Sequence, residues 1–258
     1  MNTGLGGARV LVTRPAHQAE TLCRLISDAG GEPVRLPAIE IVPPAGPAAL
    51  ARILDRLDRF DLAIFVSPNA VRALTLLNWR LPATLALAAV GDGTRRALAE
   101  AGYSGVLAPA ESFDSEGLLA LPALQAVRGR RILILRGDGG RELLAEALRA
   151  RGAEVSYAEC YRRQRPAIPD PTALARLVAG EIDIAVVTSS EGLANLLVLG
   201  GDAARTRLLA TPLVVVSARQ EQAARALGFH AAIEIAARAD DAAILAAVRV
   251  WQATRNSL

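Results

Sequence analysis

The chain has 258 residues, and its 29 basic residues, all arginine, face 26 acidic ones for a formal net charge of +3. Without lysine it cannot be a Schiff-base enzyme or carry a Walker-type phosphate loop, because both need a lysine amine. The weak charge and an aromatic content of 3% speak against nucleic acid, and a small or medium polyanion fits better.

In chain order, apolar runs bounded by turn residues alternate with segments of helical period. Strands are predicted over 10–13, 33–36, 62–66, 85–90, 105–108, 132–135, 155–158, 184–188, 213–216 and 231–235. Helices are predicted over 18–29, 48–57, 70–77, 95–101, 115–126, 172–179 and 241–251, with others after 140 and 217. The one after 140 starts near Leu143 and carries its apolar stripe on Leu143, Leu144, Ala147 and Leu148. Nothing is assigned to residues 193–212. Strands alternating with helices of this length indicate an α/β protein with parallel sheets. Two extended segments, 37–44 and 159–166, are punctuated by proline and read as crossings, able to pair as a hinge ladder between domains.

The chain repeats itself at an offset of 122: Arg9 matches Arg131, Arg14 matches Arg136, Gly30 matches Gly152, and the run from Asp61 matches the run from Asp183. Several ordered matches at one offset indicate an internal duplication, and so two domains.

Six strand-to-helix turns would line the crevice at the carboxyl ends of the strands, where open parallel sheets bind ligands. They supply Thr13 and Arg14; Ser67 and Asn69; Gly91 and Thr94; Arg136 and Gly137; Ser189 and Ser190; Ser217 and Arg219. Hydroxyls and small residues at helix N-termini favour carboxylates or phosphates, although simple helix capping would select the same residues. The arginines could grip carboxylates bidentately or pair with neighbouring acids. Gly137 with Gly139 and Gly140 lacks the dinucleotide spacing, so a nicotinamide cofactor is not expected. His17 and His230 are isolated, no metal-ligand spacing appears, and no cofactor or metal is expected. Cys23 and Cys160 read as buried free thiols. Tyr161, in a crossing segment, could donate a proton into the crevice or pack the hinge. No apolar run reaches the ~20 residues of a membrane span, and the start MNTGLGGAR has no signal-peptide pattern. A cytoplasmic protein without membrane or nucleic-acid partners is expected.

The segments Leu11-Val12-Thr13-Arg14-Pro15, Phe65-Val66-Ser67-Pro68-Asn69-Ala70-Val71 and Leu135-Arg136-Gly137-Asp138-Gly139-Gly140-Arg141-Glu142 come in this order. Arg151-Gly152-Ala153-Glu154-Val155, Glu159-Cys160-Tyr161 and Thr188-Ser189-Ser190-Glu191-Gly192 follow. Together the set resembles the uroporphyrinogen-III synthase family. The resemblance implies two Rossmann-like or flavodoxin-like domains joined by a two-stranded β ladder. One domain would combine 1–36 with 167–258, the other would span 43–158, and 37–42 and 159–166 would connect them. It also implies a cofactor-free monomer that cyclises a linear tetrapyrrole octacarboxylate, hydroxymethylbilane, with loss of water and inversion of ring D. Tyr161 would be the acid, and the turn residues above would bind substrate. The rivals are a two-domain protein that binds an anionic small molecule without reaction, and a nucleotide-using enzyme of doubly wound fold.

Overall fold

The computed structural model describes residues 4–110, 114–140 and 142–255. The chain divides into two compact units, one of Met1–Glu40 with Gln164–Leu258 and one of Ile41–Arg163. It runs through β1 (Arg9–Val12), α1 (Ala16–Asp28), β2 (Glu32–Arg35) and β3 (Glu40–Val42). The second unit continues with α2 (Pro47–Leu54), a 3-10 turn (Leu57–Arg59), β4 (Leu62–Phe65), α3 (Pro68–Leu76), β5 (Ala86–Ala89) and α4 (Asp92–Glu100). Then come α5 (Ser115–Ala120), α6 (Pro122–Gln125), β6 (Arg131–Gly137), α7 (Leu143–Ala150) and β7 (Glu154–Gln164). The chain returns to the first unit with α8 (Pro171–Val178), β8 (Ile184–Val186), α9 (Ser190–Leu199), α10 (Gly201–Leu209), β9 (Leu213–Val215), α11 (Ala218–Ala226), β10 (Ile233–Ile235) and α12 (Asp241–Arg255).

Each unit holds one five-stranded sheet. In the first the order is β10-β9-β8-β1-β2, and all four pairs are parallel. In the second the order is β3-β7-β6-β4-β5, with the pairs among β4, β5, β6 and β7 parallel. The central strands are apolar throughout because helices cover both faces. Leu62, Ala63, Ile64 and Phe65 of β4 are all fully buried, and two apolar clusters divide the two faces of that sheet. In the first unit the strand order reverses between β1 and β8, and in the second between β4 and β6. A parallel sheet opens its ligand crevice at the carboxyl ends of the strands flanking such a reversal.

The 122-residue offset in the sequence has a structural counterpart, and it crosses the units. In the first unit the Arg9 backbone N–H donates to Asp183 Oδ2 at 2.8 Å, and the Asp183 N–H donates to the Arg9 carbonyl at 3.0 Å. In the second unit the Arg131 N–H donates to Asp61 Oδ2 at 2.7 Å, and the Asp61 N–H donates to the Arg131 carbonyl at 2.8 Å. Each unit thus joins an arginine of one repeat to an aspartate of the other, at the start of its two central strands.

Several predicted elements change. Strand 155–158 and crossing 159–166 merge into one eleven-residue strand, β7. Strand 105–108 is reduced to a single bridge, Ala88 to Leu107. Helix 115–126 is cut into α5 and α6 because Pro122 has no N–H to continue it. Residues 193–212 hold most of α9 and α10, whose apolar run hides a helical stripe. Among the described residues no helix is long and apolar enough to cross a membrane.

The strand-start latch is testable. Burial alone would raise the Asp183 pKa, but the Arg9 backbone N–H and the Arg255 and Arg9 guanidiniums outweigh it and hold the carboxyl below its usual value. A folded-state pKa below the unfolded one gives stability that is present above the unfolded pKa and lost as pH falls through the folded one. Asp183→Asn is therefore expected to cost about 1–3 kcal/mol at neutral pH. In denaturant titrations the gap between the two proteins should close as pH falls below the ordinary aspartate value of about 3.9; a constant gap would contradict the latch.

Candidate active site

The carboxyl edge of the second unit is built around a β-bulge. Pairing between β6 and β7 runs evenly to Arg136 opposite Glu159, then shifts so that Gly137 lies opposite Tyr161. One extra residue on β7 breaks the strict alternation of side chains. Cys160 and Tyr161 consequently both join the same buried cluster, whereas Tyr157 packs on the opposite face. The tyrosine is only 5% exposed. Its hydroxyl lies 2.8 Å from Ser67 Oγ, at the carboxyl end of β4. Its carbonyl accepts from the Asp138 N–H at 2.9 Å, which ties β7 to the turn after β6.

Ser67 also caps α3, accepting from the Ala70 N–H at 3.3 Å. A serine hydroxyl has one proton to give. If Ser67 gives that proton to Tyr161, the phenolic proton is left for another acceptor. Gly137 makes the arrangement possible, since a Cβ there would lie 2.8 Å from two atoms of the Tyr161 ring. The next turn is close by: a Cβ on Gly93 would sit 3.8 Å from Pro68. Gly91 begins α4 in extended conformation, and Asn69 is half-buried in the first turn of α3. At the start of α4, Asp92 pairs with Arg95 and Arg96, and the Arg95 hydrogen bond holds its carboxyl below the usual range.

In the first unit, Ser189 caps α9, accepting from the Gly192 N–H at 2.9 Å, and Ser217 caps α11, accepting from the Gln220 N–H at 3.3 Å. Ser190 is half-buried at the first position of α9. Gln220 latches the two turns, donating to the Thr188 carbonyl at 3.0 Å and accepting from the Val216 N–H at 3.0 Å. Arg219 is exposed, and its side chain makes no hydrogen bond or ion pair among the described residues.

Four expected binding side chains are engaged elsewhere. Thr13 is 4% exposed and donates its hydroxyl to the Val186 carbonyl at 2.8 Å, so it bridges β1 to β8. Thr94, 3% exposed, packs into the core. Arg14 pairs with Asp241 at the start of α12. Arg136 pairs with Glu142 at 2.9 Å and lies 3.8 Å above the Tyr157 ring. For both arginines the neighbouring acid, rather than a free guanidinium, is what the structure holds. Arg141, part of the same motif, lies outside the described residues.

Other chemistries find little here. Burial pushes the Cys160 thiol up to about 12, so it is protonated and no nucleophile at neutral pH. Cys23 is a second buried free thiol. His17 and His230 are exposed.

A family model described as uroporphyrinogen-III synthase HemD matches residues 20–246. The chain belongs to the uroporphyrinogen-III synthase family. A relative named uroporphyrinogen-III synthase from Escherichia coli is 38% identical over 248 residues, covering 93% of this chain and 99% of that one. Another of that name from Synechococcus elongatus is 33% identical over 73% of each chain. Among solved structures, a mutant uroporphyrinogen III synthase of Thermus thermophilus aligns over 97% of this chain and 100% of its own, with TM-score 0.59 and 22% identity. The synthetase of Helicobacter pylori aligns over 93% and 97%, with TM-score 0.56 and 13% identity. These two likenesses concern the fold.

Gly137→Ala tests the packing under the tyrosine. The added methyl should displace the ring, break the contact with Ser67 and cost about 1–3 kcal/mol in denaturant unfolding. In a Tyr161→Ala background the same change should cost little; an equal cost in both backgrounds would show that Tyr161 does not set the constraint.

Proposed function

We propose that the chain catalyses the uroporphyrinogen-III synthase reaction, converting hydroxymethylbilane to uroporphyrinogen III with loss of water and inversion of the last pyrrole ring. The family match over residues 20–246 carries this reading. In the proposed step the terminal hydroxymethyl group loses its C–O bond. The departing hydroxide takes a proton and leaves as water, and the electron pair on a pyrrole nitrogen stabilises the resulting azafulvene cation. The substituted α-carbon of the last ring attacks that cation and becomes a spiro centre. Its bond to the neighbouring bridge carbon then breaks, leaving a second azafulvene cation; the other α-carbon of the ring attacks that cation and loses its proton, which restores the inverted pyrrole.

Tyr161 is the proposed proton donor. A tyrosine hydroxyl can act as a general acid, and this one stands at the carboxyl edge of β6 and β7 with Ser67 as its hydroxyl partner. Positioning does the rest, since ring closure needs the right carbon held against the cation. The substrate bears eight carboxylates. Helix N-termini at the carboxyl edges, with Ser67 and Asn69, Gly91, Gly137, Ser189 and Ser190, Ser217 and Arg219, are the proposed binding elements. Backbone N–H groups carry most of this role, which accommodates the engaged side chains of Thr13, Thr94, Arg14 and Arg136. The enzyme is proposed to act as a monomer in the cytoplasm, without cofactor.

Incubation with freshly generated hydroxymethylbilane, followed by oxidation and separation of the porphyrin isomers, tests the reading. Type III isomer well above the enzyme-free control is expected, with Tyr161→Phe slower by about 100-fold or more as general-acid help is lost. Only type I isomer from folded protein would sink the reading and favour an anion-binding module.

A further inference from the structure

The two units treat one corner of the repeat differently. At the amino-terminal edge of the first sheet, Arg176 of α8 pairs with Glu32 at 2.6 Å and with Glu181 at 3.0 Å. Arg9 and Arg255 both pair with Asp183, at 3.2 and 2.8 Å. The corner is closed by its own acids. In the second unit Leu50-Ala51-Arg52 of α2 repeats Leu174-Ala175-Arg176, Glu154 repeats Glu32, and Arg131 repeats Arg9. The connection from α2 to β4 is two residues longer than that from α8 to β8, with seven residues against five between helix and strand. It adds Arg56 and puts Arg59 where the other repeat has Glu181.

Ion pairing is lost with that exchange. Arg52, Arg56, Arg59 and Arg131 line a cavity of about 760 Å³, whose one acid is Glu154. Among the described residues none of these five side chains makes an ion pair. Arg52 lies in the last turn of α2, Arg56 precedes the 3-10 turn and Arg59 ends it, so the break between the two helical pieces gathers all three on the cavity. Ile53 and Phe60 give the cavity an apolar wall. Arg131 and Glu154 are the first residues of β6 and β7, at the opposite end of those strands from Tyr161. This cavity is therefore separate from the carboxyl edge of the same sheet.

We propose that the cavity is a second anion-binding site, one that takes a polycarboxylate with a flat apolar body. Four guanidiniums against one carboxylate leave a formal excess of three positive charges. Such forks match carboxylates bidentately. The volume falls within the ~300–1,000 Å³ of small-molecule sites, and the apolar wall between the arginines suits a flat ring face rather than a free inorganic anion. The concave shape favours a small molecule over a protein surface. The site stands on geometry and charge alone, and only the probe below is borrowed from the proposed reaction.

The test is a fluorescence titration with uroporphyrin III, a flat octacarboxylate, on the full chain. The wild type is compared with the triple variant Arg52→Gln, Arg56→Gln, Arg59→Gln, whose exposed side chains can be changed without touching the core. Loss of one binding event, or weakening by about tenfold or more, with type III formation unchanged, is expected. Arg59→Glu is a second variant: it restores the acid of the other repeat, and should raise the melting temperature and abolish the same binding event. Equal affinity and stoichiometry in all three proteins would overturn the proposal. Tighter binding of ATP or of poly-glutamate than of uroporphyrin would overturn the assigned ligand class. Failure to form type III isomer in the wild type would sink the synthase reading and leave the arginine dependence of binding intact.

Discussion

A parallel strand can be followed by another only after a crossover, and that constraint arranges both units. Every crossover helix leaves its strand at the same edge of the sheet, so helix N-termini gather there. β4 and β6, and likewise β1 and β8, sit side by side at the reversals of strand order. Ser67 and Gly137 stand at the ends of β4 and β6 and Tyr161 lies within β7, yet they meet because the register of the three strands brings these positions level. The bulge then turns Tyr161 onto the face where Ser67 stands. The meeting of the Ser67 and Tyr161 hydroxyls thus follows from the register of the sheet.

The α/β class, the parallel sheets and the duplication were legible because they rest on period and repetition. Buried runs such as Leu62–Phe65 declare themselves in any window of sequence. The Ser67, Ser189 and Ser217 caps were legible for the same reason, since a cap is set by its own next three residues. What escaped depends on distance along the chain. Arg14 meets Asp241 and Thr13 meets Val186, partners 227 and 173 residues away. No local pattern foretells such pairs. The bulge at Cys160 escaped too, because it is a mismatch between two strands and belongs to neither alone. Without it, alternation would send Tyr161 to the Glu159 side.

The two repeats of the sequence are alike at some positions and differ at others. The Arg–Asp latches at the strand starts are the same in both, Arg9 with Asp183 and Arg131 with Asp61. They hold the central strands in register, and register positions everything beyond. The corner beside them is under no such constraint. There one repeat keeps Glu181 and neutralises its arginines, while the other has Arg59 and leaves a cationic cavity.

The proposed proton transfer depends most on the contact between Ser67 Oγ and the Tyr161 hydroxyl. A double-mutant cycle tests it directly, with single-turnover formation of type III isomer measured for Tyr161→Phe, Ser67→Ala and the pair. Once the phenol is gone, loss of the serine hydroxyl should cost almost nothing further, a coupling of about 1 kcal/mol or more. Rate losses that simply add would contradict it, because the two hydroxyls would then be working independently.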